Sequence, residues 1–189
     1  MFATSILILA LAATGLAEVP EGYRTVIITS NVNAKFVVVP TSPTAGSAIV
    51  VFVSQPHIAI EDPDADLFYF SSKTRNDKPE QQWYIKDGNT SIQLAATTLC
   101  LDAGVKSNWK DMASINLKNC SATEDGQKWV AMADGRISLQ LSSPQECIDL
   151  QYMRATENNP VGLYSCAGLG NIGAADKGIN WPLVNVTAS

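Results

Sequence analysis

A cysteine-aliphatic-aspartate triplet occurs twice in the chain, as Cys100-Leu101-Asp102 and as Cys147-Ile148-Asp149, 47 residues apart. A fixed period constrains the fold more than any local propensity, because each unit must then be one supersecondary element that buries its apolar face only against its neighbours. The period extends well beyond the triplet. DGNTSIQLAATTLCLDAG from Asp87 aligns without a gap on DGRISLQLSSPQECIDLQ from Asp134, pairing Gly88 with Gly135, Ile92 with Leu139 and Leu94 with Leu141. A second cysteine follows at Cys120 and Cys166, and each unit closes on a tryptophan, GQKW at Trp129 and GINW at Trp181.

A further tryptophan, Trp83 of EQQW, stands one period upstream of Trp129 with a glutamine two places before it. It predicts a third, more diverged unit at the start of the chain, giving repeats over about 22–86, 87–133 and 134–184. In the first unit Gly22 aligns with Gly88 and Gly135. Phe36 takes the first cysteine position and Val38 the aspartate position after a two-residue insertion, and Ser54 takes the second cysteine position. Ser54 to Trp83 spans 29 positions where Cys120 to Trp129 spans 9, so the first unit carries an insertion over residues 55–80.

Within the units the apolar runs are short and alternating or β-branched (VIIT, FVVV, AIVVFV, SINL, ISLQL), and Gly, Pro, Asn and Asp break them. No later stretch holds a helical period for long. One such unit cannot cover its own apolar face. Three of them about a pseudo-threefold axis close a barrel capped by hairpins, so the expected fold is all-β, a β-trefoil of about 12 strands in one domain over 18–189.

Residues 1–17 carry no charge and contain an apolar run from Ile6 to Ala13 followed by Gly15 and Ala17. They read as a secretory signal peptide cut near Ala17, although the usual basic n-region is missing. A membrane anchor is the alternative, at the short limit for spanning a bilayer. The expected location is extracellular, with no membrane span in the mature chain. Four cysteines, an even count in an exported chain, favour disulfides. Zinc would want short cysteine pairs or added histidines, and the one histidine is His57. Sequons at Asn89, Asn119 and Asn185 agree with export. A net charge of −5 without a dense basic cluster argues against nucleic acid as a partner.

The combination of three units, an intra-unit cysteine pair, Cys-x-Asp and a closing Gln-x-Trp resembles the ricin-type β-trefoil lectins over the whole mature chain. The resemblance implies a set of roles. Cys100 pairs with Cys120 and Cys147 with Cys166, each closing a loop worth about 3 kcal/mol in the chain-entropy model. Trp83, Trp129 and Trp181 are structural core, worth of order 3 to 5 kcal/mol each on truncation to alanine. The aspartate after the first cysteine accepts hydrogen bonds from two adjacent sugar hydroxyls, and an aromatic two residues before the second cysteine stacks on the C–H face of the ring. The plainer role of such an aspartate is to cap a turn.

The third unit has the fuller set, with Asp149 and, in the stacking position, Tyr164. It departs from the pattern at Gly162, where an amide is usual, and at Ile179, where glutamine is usual. Tyr152, Asn158 and Asn159 of its hairpin loop are candidate further contacts. The second unit keeps Asp102, Asn116 and Gln127 but has Lys118 in the stacking position, so its site is weaker unless Trp109 of the intervening loop folds over to replace the missing face. A glycan on Asn119 would crowd it. The first unit, with Val38 and Val50, cannot bind a diol; its Phe52 is expected in the core.

Other chemistry is thinner. Asp62, Asp64 and Asp66 suggest a calcium loop, but no glycine stands at its turn and Lys73 replaces the bidentate glutamate, so no metal site is expected. His57 has no nucleophile motif beside it, and Asp102 and Asp149 lie in separate units, too far apart for a glycosidase pair. Nothing implies a cofactor or catalysis. The expected function is a secreted carbohydrate-binding protein that takes a galactose-type or related sugar, on a glycan or cell-wall polysaccharide, at about millimolar affinity. The alternative is a β-trefoil protease inhibitor or interaction scaffold that presents a loop such as Val38–Gly46.

Overall fold

The computed structural model describes residues 18–54, 79–166 and 176–186. The expected leader and residues 55–78 of the expected insertion, with His57, the three aspartates and Leu67–Phe70, lie outside the described residues. The described chain forms thirteen strands and short 3-10 turns. The first unit holds β1 (Arg24–Ile28), β2 (Phe36–Pro40), β3 (Ile49–Val53) and β4 (Trp83–Ile85). The second holds β5 (Gly88–Thr90), β6 (Gln93–Leu94), β7 (Leu99–Asp102), β8 (Asn116–Asn119) and β9 (Trp129–Ala131). The third holds β10 (Ile137–Leu139), β11 (Glu146–Leu150), β12 (Val161–Ser165) and β13 (Leu183–Asn185).

The fold is a β-trefoil. Antiparallel pairing runs from β13 to β1, β4 and β6, and from β5 through β9 to β10. A bridge between Arg136 and Asn180 joins the two series, so no barrel edge is left open. One strand more than about 12 is present because the second unit's first strand is shared between two sheets: β5 pairs with β9, and β6 with β4 and β7. The hairpins β2–β3, β7–β8 and β11–β12 cap the barrel.

The three hairpins touch in a cycle. Ala48 bridges Asn116, Ser114 bridges Gly162, and Pro160 bridges Val50, so each hairpin offers the same position to the next. Beside each bridge one residue turns left-handed and donates its N–H to the neighbouring hairpin: Gly46 to the Leu117 carbonyl, Met112 to that of Leu163 and Asn158 to that of Val51. The backbone fixes this position and the side chain must tolerate it. Glycine and asparagine do so cheaply, whereas methionine does not.

Trp83, Trp129 and Trp181 are fully buried in the core, and each indole N–H donates to a strand carbonyl, of Val38, Leu101 and Ile148. These three bonds set the register of the units. They place Val38 beside Leu101 and Ile148, so Val39 occupies the aspartate position and Val37 the first cysteine position. Strand pairing agrees, with Val39 opposite Val50 as Asp102 is opposite Asn116 and Asp149 opposite Gly162. The expectation of Phe36 and Val38 at these positions is thus one residue early, because the segment before β2 is longer by one residue than the alignment allowed. The loss of the carboxylate stands. Val37, Val39, Val50 and Ile27 instead form a small apolar cluster of their own.

The disulfides join Cys100 to Cys120 and Cys147 to Cys166. Asn89, Asn119 and Asn185 are exposed.

Candidate functional site in the third unit

Asp149 pairs opposite Gly162, one residue before the β11–β12 pairing ends at Leu150 and Val161, and Tyr164 lies two residues further along β12 on the same face. Together they line an open hollow of about 520 Å³. Tyr152 and Met153 from the turn after β11 form one wall, Met112 and Asp111 from the second unit's hairpin loop another, and Asp176 a third. Tyr164 is half-buried, and Tyr152 is 71% exposed at the rim. An aromatic face and a carboxylate thus border one concavity, as the sequence pattern implies.

Asp149 as a residue is 5% exposed, and among the described residues no hydrogen bond reaches its carboxylate. Burial, then the nearby carboxylates of Asp176 and Asp111, pushes it up to about 7. Gly178 explains the closeness of Asp176. A Cβ there would stand 2.6 Å from Asp149 Oδ1 and 3.0 Å from Asp176 Oδ1, so the two oxygens are no farther apart than the sum of those distances. Asp176 accepts the Gly178 N–H and Asp111 accepts the Ser165 N–H, which fixes both at the mouth. Burial and Asp111 also raise Glu146, further back on β11.

Three of the residues lining the hollow, Met112, Tyr152 and Met153, are left-handed non-glycine residues with φ of 67°, 56° and 50°. Such backbone costs of order 1 kcal/mol or more apiece and concentrates at functional sites. It exposes Tyr152 and Met153 instead of folding them inward. Met112 stands where the other hairpins have glycine and asparagine.

Asn158 and Asn159 do not line this hollow. Asn158 takes the left-handed turn described above and borders a smaller hollow beside Phe52, while the Asn159 amide donates to the Gln151 carbonyl and braces the β11–β12 loop. Phe52 itself is 36% exposed and not core, since its strand position matches the outward one of Tyr164. Gly162 is glycine because the Ala113 carbonyl of the second unit lies against it, 2.7 Å from where a Cβ would be. Ile179, in the glutamine position, packs on the Cys147–Cys166 disulfide and sends Asp149 no donor.

The second unit is built differently around the same aspartate. Asp102 Oδ1 accepts the Gly104 N–H at 2.6 Å and its Oδ2 accepts the Gln127 amide at 2.9 Å. Gln127 also donates to the Asn119 carbonyl and accepts the Ser121 N–H. Lys118 Nζ lies 3.9 Å from Asp102 Oδ2 and 3.1 Å from Glu124. Asn116 and Lys118 border the hollow in front of Asp102. Trp109 does not: its ring packs against the core and its N–H donates to the Gly104 carbonyl. The condition on which this weaker site depended, Trp109 folding over it, is not met in this arrangement. A larger hollow, about 800 Å³ near the starts of the repeats, is lined by Arg24, Asp87, Asp134 and Arg136, whose charges pair with one another.

Residues 89–174 match the family model described as the ricin-type beta-trefoil lectin domain. Among solved structures, the designed threefold-symmetric protein ThreeFoil superposes with a TM-score of 0.58 at 17% identity, over 87% of this chain and 99% of its own. The C-half of the earthworm R-type lectin, in complex with GalNAc, gives 0.58 at 13% identity over 86% and 98%. The Rhizoctonia solani agglutinin gives 0.55 at 15% identity over 89% and 99%. No curated protein matches the sequence.

Proposed function

We propose that this β-trefoil is a secreted carbohydrate-binding protein of the ricin lectin type that takes a sugar in the third unit's hollow and catalyses no reaction. The observation that carries the reading is Asp149, a buried aspartate with no donor among the described residues, facing a concavity that also presents Tyr164. A buried carboxylate left unpaired costs free energy that a pair of hydroxyl donors offsets, and a tyrosine face takes the C–H side of a pyranose. Supporting it are the family match across the second and third units and the sugar-bound earthworm lectin of the same fold. A galactose-type or related sugar is the expected ligand. One shallow site gives affinities of about 1 mM, so a polysaccharide or densely displayed glycan is the natural partner.

The second unit contributes little to binding, since Asp102 already has its donors and Lys118 offers no flat face. A glycan array run with the mature, disulfide-bonded protein beside Asp149→Asn and Asp102→Asn tests this. Binding is expected to vanish in the Asp149 variant and to persist in the Asp102 variant. Silence of the intact protein on every glycan would reject the lectin reading.

A further inference from the structure

The third unit's hollow differs from the second's in charge as well as in shape. Where the second unit sets Lys118 and the Gln127 amide beside its aspartate, the third sets Tyr164 and Ile179, and it adds two carboxylates, Asp176 and Asp111. Among the described residues no lysine or arginine lines the hollow. Among the described residues Asp149 is therefore buried, without a donor, and flanked by like charge, an arrangement a neutral sugar only partly relieves. A hydroxyl supplies a hydrogen bond but no compensating charge. An ammonium supplies both, to several carboxylates at once, and its charge is also attracted by aromatic faces. Tyr152 at the rim already holds one cation, the Arg154 guanidinium, 5.6 Å from its ring centre.

We propose that this site selects a hexosamine unit with a free primary amine, placing the ammonium between Asp149 and Asp176 and the ring against Tyr164. The proposal rests on the lectin reading of the site and narrows it. An N-acetyl group removes the charge and brings a carbonyl oxygen toward carboxylates, so the acetylated sugar is disfavoured.

The test compares methyl galactosaminide, methyl N-acetylgalactosaminide and methyl galactoside by calorimetric titration at pH 7 and low salt. The amine is expected to bind about tenfold tighter than the galactoside, the difference a charge-assisted hydrogen bond makes. The preference should shrink with added salt. In the Asp111→Asn/Asp176→Asn double variant, checked for folding by its thermal melt, the ratio of amine to galactoside affinity should fall by about threefold or more, with Asp149 retaining the remainder. Galactoside bound as tightly as the amine overturns the proposal and leaves the lectin reading in place. An amine preference undiminished in the double variant overturns it as well, because Asp176 and Asp111 then play no part in it. Binding of none of the three by folded protein overturns the proposal and counts against the sugar site beneath it.

Discussion

The second and third units start from the same triplet and end in opposite states. Asp102 and Asp149 are equally buried, each 5% exposed, on strands of the same register. Asp102 is consumed by the protein, capping a turn through Gly104 and bracing the Gln127 amide. Asp149 has no such duties and meets Asp176 and Asp111 instead. The difference shows that an aspartate in this register is a structural part when a donor stands in the glutamine position, and an open valence when an aliphatic residue stands there. On the reading proposed here, the capping role and the binding role, both available to the motif, are divided between two copies of it.

The scaffold beneath the two sites should not share in this difference, and testing it gives the largest effects. Trp129→Ala and Trp181→Ala are expected to destabilise by about 3 to 5 kcal/mol each in urea unfolding, within about 1 kcal/mol of one another, because both indoles are fully buried and bonded to the same carbonyl position. A large inequality would mean that the units differ in their core and not only at their surface.

The aspartates should respond with opposite signs. Folding holds a proton on Asp149 that the unfolded chain releases near pH 4. The group therefore costs nothing at low pH; its cost accumulates from about pH 4 to about pH 7 and is level above that, at a few kcal/mol or less. Asp149→Asn should accordingly raise the Tm of the unliganded protein at pH 8 by several degrees, at about 2 to 4 °C per kcal/mol, and leave it nearly unchanged at pH 4. Asp102→Asn should lower the Tm by a comparable or smaller amount, corresponding to a stability loss of order 1 to 2 kcal/mol, because it turns an amide toward the Gln127 amide. If both variants lower stability at pH 8, Asp149 is not the open group described here.

The glycines ahead of the closing tryptophans offer a finer comparison. A Cβ on Gly126 would meet the Gly104 carbonyl at 2.5 Å, whereas on Gly178 its closest neighbour is the Asp149 side chain. Backbone cannot withdraw as a side chain can. Gly126→Ala is therefore expected to cost about 1 to 3 kcal/mol and Gly178→Ala less, while the latter moves Asp149 and weakens ligand binding. Smallest of all, Ile179→Gln should bring the second unit's donor to the third and lower Asp149 by about one pH unit in an NMR titration, at a modest packing cost against the disulfide.

The repeat made the fold legible before any coordinates: the period, the paired cysteines and the three tryptophans correspond to the closed barrel, the disulfides and the core. The pairing of Asp149 with Tyr164 was legible through the resemblance to the ricin-type lectins, and the strand pairing puts the two on one face. What the alignment could not convey was contact between units. Asp111 and Met112 reach the third site from the second unit's loop, and no within-unit comparison points to them. Asn158 and Asn159 looked like sugar amides because they are polar and near the site in sequence, yet they serve a left-handed turn and a loop brace, roles set by the neighbouring hairpin. The one-residue shift to Val37 and Val39 escaped notice because Phe36–Val39 is a run of interchangeable apolar residues, and only the indole bonds fix its register.

The valine cluster of the first unit has a consequence for valency. With Val39 and Val50 packed where a carboxylate and an amide would stand, and with Asp102 already bonded, the described residues of a threefold body leave an open aspartate in one unit out of three. A lectin with two or three competent faces bridges cells and precipitates glycans; a single-faced one coats them. On the reading proposed here the monomer would decorate a polysaccharide without cross-linking it, and agglutination would appear only once several copies are held together.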